Sequence, residues 1–194
     1  MPRRAPPGQG GWKQVVSVSL TTLSPKQREI REREELILSV AREMLLERGY
    51  YGLTMDRIAD ESDCPKGTMY QRFGCKEDIV LALARQSLEK RFLMMERAAS
   101  FQGTTRERAV ALGEAVALFA RLYPGDSRIM HTATGPIREK ASQERVAAVA
   151  EMEKQSFTML RDLLRDAVLK GELVLQYQAS IEEMAFGIWA LVDG

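Results

Sequence analysis

Residues 54–76 read TMDRIADESDCPKGTMYQRFGCK, and this stretch decides how the rest of the chain can fold. Its pattern predicts a short helix over residues 55–62, a break, and a second short helix over residues 66–72. Asp63 stands where the turn requires a positive φ, a conformation that aspartate tolerates better than most residues. Helices this short cannot bury a core alone, so they need partner helices on each side. The arrangement is that of a helix-turn-helix.

The apolar residues of the stretch are spaced so that the two helices face each other. Ile58 and Ala59 are predicted to point inward from the first helix, and alanine is small enough for a close crossing. Met69 and Phe73 are predicted to face back from the second helix. Cys64 then provides an apolar side chain directly after the turn. The opposite face of the second helix is left for polar residues.

The stretch and its flanks also contain a gapless series of spaced residues that resembles the signature of the TetR (tetracycline-repressor) family of transcription regulators. The residues that carry the resemblance are Gly49-Tyr50, Thr54, Ile58-Ala59, Gly67-Thr68-Met69-Tyr70, Phe73 and Lys76-Glu77. The match covers roughly residues 30–85, and it is far more specific than a single short motif. Asp63, Pro65 and Cys75 depart from the family's turn glycine and two polar caps. The geometry is kept, but each lost cap removes about 1 kcal/mol of local stability.

The resemblance implies a set of DNA-binding residues on the second short helix and at its flanks. They are Thr54, Lys66, Gly67, Thr68, Tyr70, Gln71 and Lys76. Gln71 is the candidate for reading a base edge, because its amide can pair with both N6 and N7 of adenine. Thr54, Tyr70 and Lys76 are expected to hold phosphates, and Gly67 permits close approach of the backbone. The alternative is that these are ordinary solvated residues, with Tyr70 a core aromatic that exposes only its hydroxyl.

The resemblance further implies a homodimer that binds a palindromic DNA operator and responds to a small-molecule effector between helices four to eight. The effector would tilt the fourth helix and change the spacing of the two reading heads. Repression is the commoner outcome in the family, although activators exist. In the family a further helix usually follows the eighth predicted here, and the last two form the dimer interface. We therefore expect either that the sequence lacks the last helix or that the protein dimerises differently.

Composition favours an all-α protein. Hydrophobic residues make up 45% of the 194 residues, and they show little of the alternation typical of strands. The net charge is only +1, so any positive surface for nucleic acid must be local; residues 66–76 contain Lys66, Arg72 and Lys76 and no acidic residue. No apolar run reaches the ~18 residues that span a membrane, and the start lacks a signal-peptide core. These features favour a bacterial cytoplasmic protein.

The sequence contains no pattern that indicates an enzyme. The single histidine, His131, excludes a histidine-based triad and a multi-histidine metal site, and no glycine-rich phosphate loop is present. No catalytic residue, metal or cofactor is therefore predicted. The remaining rival class is a helical scaffold that binds only protein. It leaves Tyr70, Lys76 and the acid-free second helix unexplained.

Three segments are predicted: a disordered tail over residues 1–24, a three-helix DNA-binding domain over 25–91, and a helical effector-binding and dimerisation domain over 92–194. The basic tail offers a minor-groove arm as the alternative to an idle extension. Capping boxes are predicted at Ser24 with Gln27, Thr104 with Glu107, and Ser180 with Glu183. Breaks are predicted at Gly49, Gly103, Pro124-Gly125, Gly135-Pro136 and Gly171. They leave a sixth helix over residues 128–132 and a seventh over 138–170.

A few further residues have two interpretations each. Cys75, at a helix N-terminus, would be reactive if its pKa were lowered, whereas a packing role is the preferred prediction for both Cys75 and Cys64. His131 is either a hydrogen-bond donor in an effector pocket or a structural or exposed residue. The same choice, between orienting a polar ligand and carrying surface charge, applies to Arg128, Arg138 and Glu139.

Overall fold

The computed structural model describes residues 24–175 and 179–193, and all regular structure within these ranges is helical. The helices are α1 (Pro25–Gly52), α2 (Met55–Glu61), α3 (Lys66–Arg72), α4 (Lys76–Ala99), α5 (Thr105–Leu122), α6 (Pro124–Thr132), α7 (Gly135–Arg138), α8 (Gln143–Leu169) and α9 (Ile181–Asp193). The predicted all-α class is confirmed. Within the described ranges, no helix combines the length and apolarity that crossing a bilayer requires. Apart from Ser24, the predicted tail lies outside the described residues.

The described residues fall into two compact units, which are divided between Leu36 and Ile37. The described part of the first unit begins α1 with the predicted capping box. Ser24 N–H donates to Gln27 Oε1 at 2.9 Å, and Gln27 N–H donates to Ser24 Oγ at 3.3 Å. An exposed ion pair between Arg31 and Glu35, at 3.1 Å, lies on the same helix. Local interactions thus define the helix start in this unit.

The second unit is built around α4. Six successive residues of this helix, from Ile79 to Ala84, are buried, as happens only when a helix is surrounded on all sides. α5, α6 and α8 pack against it. The same core takes Ile37, Ala41 and Met44 from α1 and Ile58 from α2. α4 runs without interruption across residues 91–92, and the domain boundary proposed there stays a prediction.

α6 begins earlier than the sequence indicated. We predicted a break at Pro124-Gly125 and a helix start at residue 128, but Pro124 is the first residue of the helix. Proline is well suited to that position because its φ is already helical and its missing N–H needs no partner. Gly125 allows α6 to approach α1, since a Cβ there would lie 2.9 Å from Leu46 Cδ1. The predicted interruption is therefore present but lies at Tyr123, and Pro124 and Gly125 begin a packed helix directly after it.

The long helix predicted over residues 138–170 is divided. Gly135 and Pro136, predicted as a break, open the four-residue α7, and α8 begins only at Gln143. Ser142 caps α8 by accepting a hydrogen bond from Arg145 N–H at 3.5 Å. The described residues therefore contain one helix more than the eight predicted.

The predicted end of α8 is confirmed. Gly171 has φ 71°, a left-handed conformation that favours glycine. Its N–H donates to Val168 O at 3.0 Å, and Glu172 N–H donates to Ala167 O at 2.9 Å. This pair of hydrogen bonds is a Schellman motif. The predicted capping boxes that open α5 and α9 are also present.

Candidate nucleic-acid interface

α2 and α3 are joined by the predicted tight turn. Thr54 Oγ1 caps α2 by accepting from Arg57 N–H at 3.4 Å. Asp63 has φ 49°, as its position in the turn required. Cys64 N–H then donates to Ala59 O at 3.0 Å, which closes the turn. The sequence therefore located both helices and the residue with positive φ.

The inner faces of the two helices are buried as predicted. Ile58, Met69 and Phe73 are completely buried, and Ala59 and Cys64 are 3% and 6% exposed. Burial at this level fixes the rotation of each helix about its axis, because turning the helix would bring apolar side chains into water. The face of α3 that is turned away from the protein is therefore defined.

The outward face of α3 carries the residues predicted to contact DNA. Lys66, Gly67, Tyr70 and Gln71 are exposed, and Thr68 is half-buried. Tyr70 is 53% exposed, so the alternative of a core aromatic is wrong. A Cβ at Gly67 would meet no heavy atom within 4 Å, so none of the described residues requires glycine at that position. These groups lie on a helix whose opposite side, at Met69, is fully buried.

One acidic residue close to this surface was missed in the sequence. Asp56, in the first turn of α2, forms an ion pair with Lys66 at 2.5 Å, and both side chains are more than half exposed. The hydrogen bond to Asp56 and its charge raise the pKa of Lys66. The pair joins residues ten positions apart on two helices, so the acid-free stretch 66–76 gave no sign of it. Lys66 is therefore compensated in this conformation.

Lys76 and its neighbours, which we call the Tyr50 cluster (Tyr50, Leu53, Lys76 and Glu77), connect the end of α1 to the start of α4. Lys76 Nζ donates to Tyr50 O and Leu53 O, both at 3.3 Å, and lies 4.0 Å from the centroid of the Tyr50 ring. Tyr50 Oη donates to the buried carboxylate of Glu77. An ammonium has three N–H donors, so Lys76 keeps one for a phosphate. The predicted phosphate contact at Lys76 stays a prediction.

The titration behaviour of the cluster follows from burial and hydrogen bonding. Burial, followed by the hydrogen bond to Glu77, raises the pKa of Tyr50 to about 12. Burial alone would raise the pKa of Glu77, but the hydrogen bond from Tyr50 and a backbone hydrogen bond hold that pKa below its usual value. Tyr50 is therefore neutral and Glu77 charged near neutral pH, which is the state in which the hydrogen bond is strongest.

Residues 37–83, which include α2, α3 and the start of α4, match the family model of bacterial regulatory proteins, tetR family. The helix-turn-helix is a TetR-family domain. The resemblance inferred from the signature residues is confirmed.

Individual relatives extend the TetR comparison. The HTH-type transcriptional regulator HbdR of Aromatoleum sp. (strain CIB) is 36% identical over 73 residues, which are 38% of this chain and 31% of that protein. The chain thus matches less than a third of that relative's length. A tetR-family regulatory protein from Rhodococcus RHA1 superposes with a TM-score of 0.67 at 17% identity, covering 84% of this chain and 82% of that one. The structure of AibR in complex with isovaleryl coenzyme A and operator DNA superposes with a TM-score of 0.61 at 20% identity, covering 83% of this chain and 84% of that one. These structures show that the fold is TetR-like.

Asp78, near the end of the TetR-family domain, accepts hydrogen bonds that connect this domain to the start of α8. This buried carboxylate accepts hydrogen bonds from Gly74 N–H at 3.1 Å and from Ser142 N–H at 2.7 Å. Beside it, Cys75 Sγ lies 3.5 Å from Lys140 O. Burial raises the pKa of the Cys75 thiol, which is the opposite of the lowered pKa that the redox alternative required. The cysteine packs against the segment that leads into α8, as the preferred packing role predicted.

A second connection from the TetR-family domain to the rest of the fold is formed by the Asp126 cluster (Arg42, Ser87, Lys90 and Asp126). Asp126 is 5% exposed and accepts from Ser87 Oγ at 2.7 Å, from Lys90 Nζ at 3.0 Å and from the Arg42 guanidinium. Burial alone would raise the pKa of Asp126, but these hydrogen bonds and positive charges hold that pKa below its usual value. The cluster joins α1, α4 and α6, and no pattern in the sequence pointed to it.

The polar residues proposed for an effector region have distinct surroundings. His131 is exposed, and its Nδ1 lies 2.6 Å from Ser127 O. Arg138 forms two hydrogen bonds to Glu153, at 3.0 and 2.5 Å. Of the others, Arg128 donates to Leu46 O at 3.3 Å and Glu139 is exposed. Arg138 is therefore held by a specific carboxylate on α8 rather than standing as an isolated surface charge.

Proposed function

We propose that this chain is a ligand-responsive transcription regulator that binds a palindromic DNA operator as a homodimer, with repression as the outcome. The observation that carries the proposal is the exposed face of α3. Gly67, Tyr70 and Gln71 are exposed on a helix whose opposite side is fixed by the fully buried Met69. A helix anchored in this way can enter a major groove without disturbing the core.

The residues of this face have different tasks in the proposal. Gln71 reads a base edge, since a glutamine amide can donate to and accept from adenine simultaneously. Tyr70 Oη and the remaining Lys76 N–H hold phosphates, which fix register but carry no sequence information. Gly67 brings the backbone close to the DNA, because no side chain stands in the way. The relative AibR, whose structure contains operator DNA, supports this use of the fold.

Exposed apolar residues on α9 support the homodimer. α9 is apolar overall, yet the side chains of Phe186 and Leu191 on it are 62% and 88% exposed to solvent. Large exposed apolar side chains on one helix mark association surfaces in soluble proteins. An interface related by a two-fold axis would pair α9 with its copy and place two α3 helices on one side of the DNA. Sedimentation of the wild type and of Phe186→Asp tests this step, with a shift from dimer to monomer expected in the variant.

DNA binding is tested by selection from a randomised duplex pool, followed by titration of the recovered sequence. We expect one palindrome. Gln71→Ala should weaken its binding by roughly 5- to 100-fold and relax the preference at one position of each half-site. Tyr70→Phe, which removes only the hydroxyl, should weaken binding to all duplexes by a similar factor.

Gln143→Ala is the matched control, because Gln143 is an exposed helical glutamine at the start of α8. It should bind the selected palindrome as the wild type does. A stable dimer that enriches no sequence would refute the proposal. Equal loss of affinity in Gln71→Ala and Gln143→Ala would refute the role of α3 in reading bases.

A further inference from the structure

Residues 49–54 lead from α1 into α2 through a tightly anchored turn. Gly49 has φ 69° and ψ 179°, so the regular course of α1 is interrupted there. Gly52 packs so closely that a Cβ on it would lie 2.5 Å from a side-chain carbon of α1. Leu53 is completely buried. These neighbours fix the position of Tyr51, which lies between the two glycines.

Tyr51 projects from this turn into solvent. Its side chain is 92% exposed, and no large apolar side chain in the described ranges is more exposed. Its ring meets the edge of the Tyr50 ring, with the two centroids 5.4 Å apart. A side chain with so little burial contributes little to folding, so it can be replaced without disturbing the core. The phenolic hydroxyl of Tyr51 is therefore available to a partner molecule.

Two cations lie against the carbonyl oxygens of the same turn. Lys76 Nζ is 3.3 Å from both Tyr50 O and Leu53 O. Arg57 Nη1, from the first turns of α2, is 3.5 Å from Gly52 O. Arg57 is exposed, and a guanidinium has five N–H donors, so most of them remain for a partner. The turn thus presents two positive groups on either side of Tyr51.

The acidic residues of this region do not neutralise Arg57. Three carboxylates have other partners: Asp56 pairs with Lys66, Glu61 pairs with Arg48, and Glu77 binds Tyr50. Asp60, also on α2, forms no ion pair with Arg57. Within the described part of the chain, Arg57 therefore carries a charge that no contacting carboxylate compensates.

We propose that Tyr51 and Arg57 bind phosphates of the DNA backbone beside the groove that α3 enters, in addition to the phosphates assigned to Tyr70 and Lys76. The Tyr50 ring places these groups together, because Lys76 Nζ and the Tyr51 ring lie 4.0 and 5.4 Å from its centroid. Phosphates of one strand follow each other at about 3.4 Å of helix axis, so side chains on one turn reach neighbouring phosphates. The inference rests on the proposed function for the identity of the ligand, and it adds contacts outside α3.

The salt dependence of DNA binding tests Arg57. The affinities of the wild type and Arg57→Gln are measured at several salt concentrations, for the selected operator and for an unrelated duplex. Each phosphate contact of a cation contributes about 0.9 to the slope of log K against the logarithm of the salt concentration. Arg57→Gln should therefore lower the magnitude of the slope by about 0.9 per bound subunit.

Arg121→Gln is the matched control for Arg57→Gln. Arg121 is exposed in the last turn of α5 and, like Arg57, forms no ion pair among the described residues. This variant should keep the slope of the wild type. Equal slopes for Arg57→Gln and Arg121→Gln would overturn the assignment of Arg57.

Tyr51 is tested by removing its hydroxyl and by adding a charge. Tyr51→Phe should weaken binding to both duplexes by the same factor, roughly 3- to 10-fold, and leave the salt slope unchanged, because a phenol is neutral. Tyr51→Lys should steepen the slope by about 0.9 per bound subunit. Tyr123→Phe, at the junction of α5 and α6, is the control and should bind as the wild type does. If Tyr51→Phe also binds as the wild type does and Tyr51→Lys keeps the wild-type slope, Tyr51 does not meet DNA.

The two duplexes separate this inference from the proposed function, because phosphate contacts carry no sequence information. If the wild type selects a palindrome but the Arg57 and Tyr51 variants behave as their controls, the additional phosphate contacts are refuted and the regulator stands. If the wild type binds all duplexes alike and the variants still show the expected losses, the contacts stand and the sequence-specific regulator is refuted. A wild type that binds no duplex refutes both.

Discussion

Replacing Asp126 by asparagine tests how strongly the Asp126 cluster holds α1, α4 and α6 together. Asp126 is buried and accepts hydrogen bonds from Ser87, Lys90 and Arg42. Asparagine has nearly the same size and keeps one oxygen for Ser87, so packing is preserved. What is lost is the negative charge that faces two cations. The substitution therefore isolates the electrostatic part of the cluster.

The magnitude follows from the exposure of the partners. Removing one member of a buried ion pair typically costs about 3–5 kcal/mol. The Arg42 and Lys90 side chains are 25% and 44% exposed, so both can turn partly to water. We therefore expect Asp126→Asn to lower the free energy of unfolding by about 2–3 kcal/mol. For a chain of this length, that corresponds to a decrease in Tm of about 4–12 °C.

Urea unfolding followed by circular dichroism measures the effect. Asp166→Asn is the matched control, because Asp166 also accepts from two cations, Arg108 and Lys170, each at 2.8 Å, but its side chain is 37% exposed. Asp166→Asn should lower the free energy of unfolding by no more than about 1 kcal/mol. If both variants lose the same amount, the argument that burial makes the Asp126 cluster strong is refuted.

The pH dependence gives an independent check on the same variant. The pKa of Asp126 is depressed in the folded state. The contribution of its charge to the free energy of unfolding is therefore complete above the unfolded-state pKa of about 3.9, and it is lost as the pH falls through the folded-state pKa. The stability difference between the wild type and Asp126→Asn should therefore be constant near neutral pH and shrink below about pH 4. A difference that stays constant down to pH 3 contradicts the assigned charge state.

Other substitutions test the local geometry and the DNA surface. Gly49 has φ 69° and ψ 179°, so Gly49→Ala should lower the free energy of unfolding by about 1–3 kcal/mol through backbone strain alone, as measured by urea unfolding. Gly67→Ala should leave that free energy unchanged. Equal effects of the two substitutions would contradict this reasoning. The pKa of Tyr50 is raised to about 12, so the stability advantage of the wild type over Tyr50→Phe should be complete below about pH 10 and disappear toward pH 12; an advantage that persists there would exclude the hydrogen bond as its source. Asp56→Asn removes the counter-charge of Lys66. We expect the affinity for the operator to rise roughly fivefold per half-site and to depend more steeply on salt concentration. Unchanged affinity would show that Lys66 does not contact phosphate.

The sequence by itself determined the features that depend on neighbours in the chain. Capping boxes at Ser24, Thr104 and Ser180, the positive φ of Asp63 and the end of α8 at Gly171 were all predicted, because each needs only residues a few positions apart. Side-chain periodicity likewise identified which residues of α2 and α3 are buried. The same locality explains why Pro124-Gly125 and Gly135-Pro136 were assigned to interruptions, although each pair begins the helix directly after one. Both pairs are compatible with a break or with a helix start, and packing of the residues that follow decides between them.

The tertiary structure alone decided which distant groups meet. Arg42 and Asp126 are 84 positions apart, Asp78 and Ser142 are 64 apart, and Tyr50 and Glu77 are 27 apart. A charged or polar residue shows its capacity for pairing in the sequence, but its partner depends on how several helices cross. Two cavities, both lined by Arg91 and Trp189, arise in the same way, since walls from different helices enclose them. Helix starts, ends and inner faces are local properties of this chain, whereas its ion-pair clusters and its cavities exist only once the helices have packed.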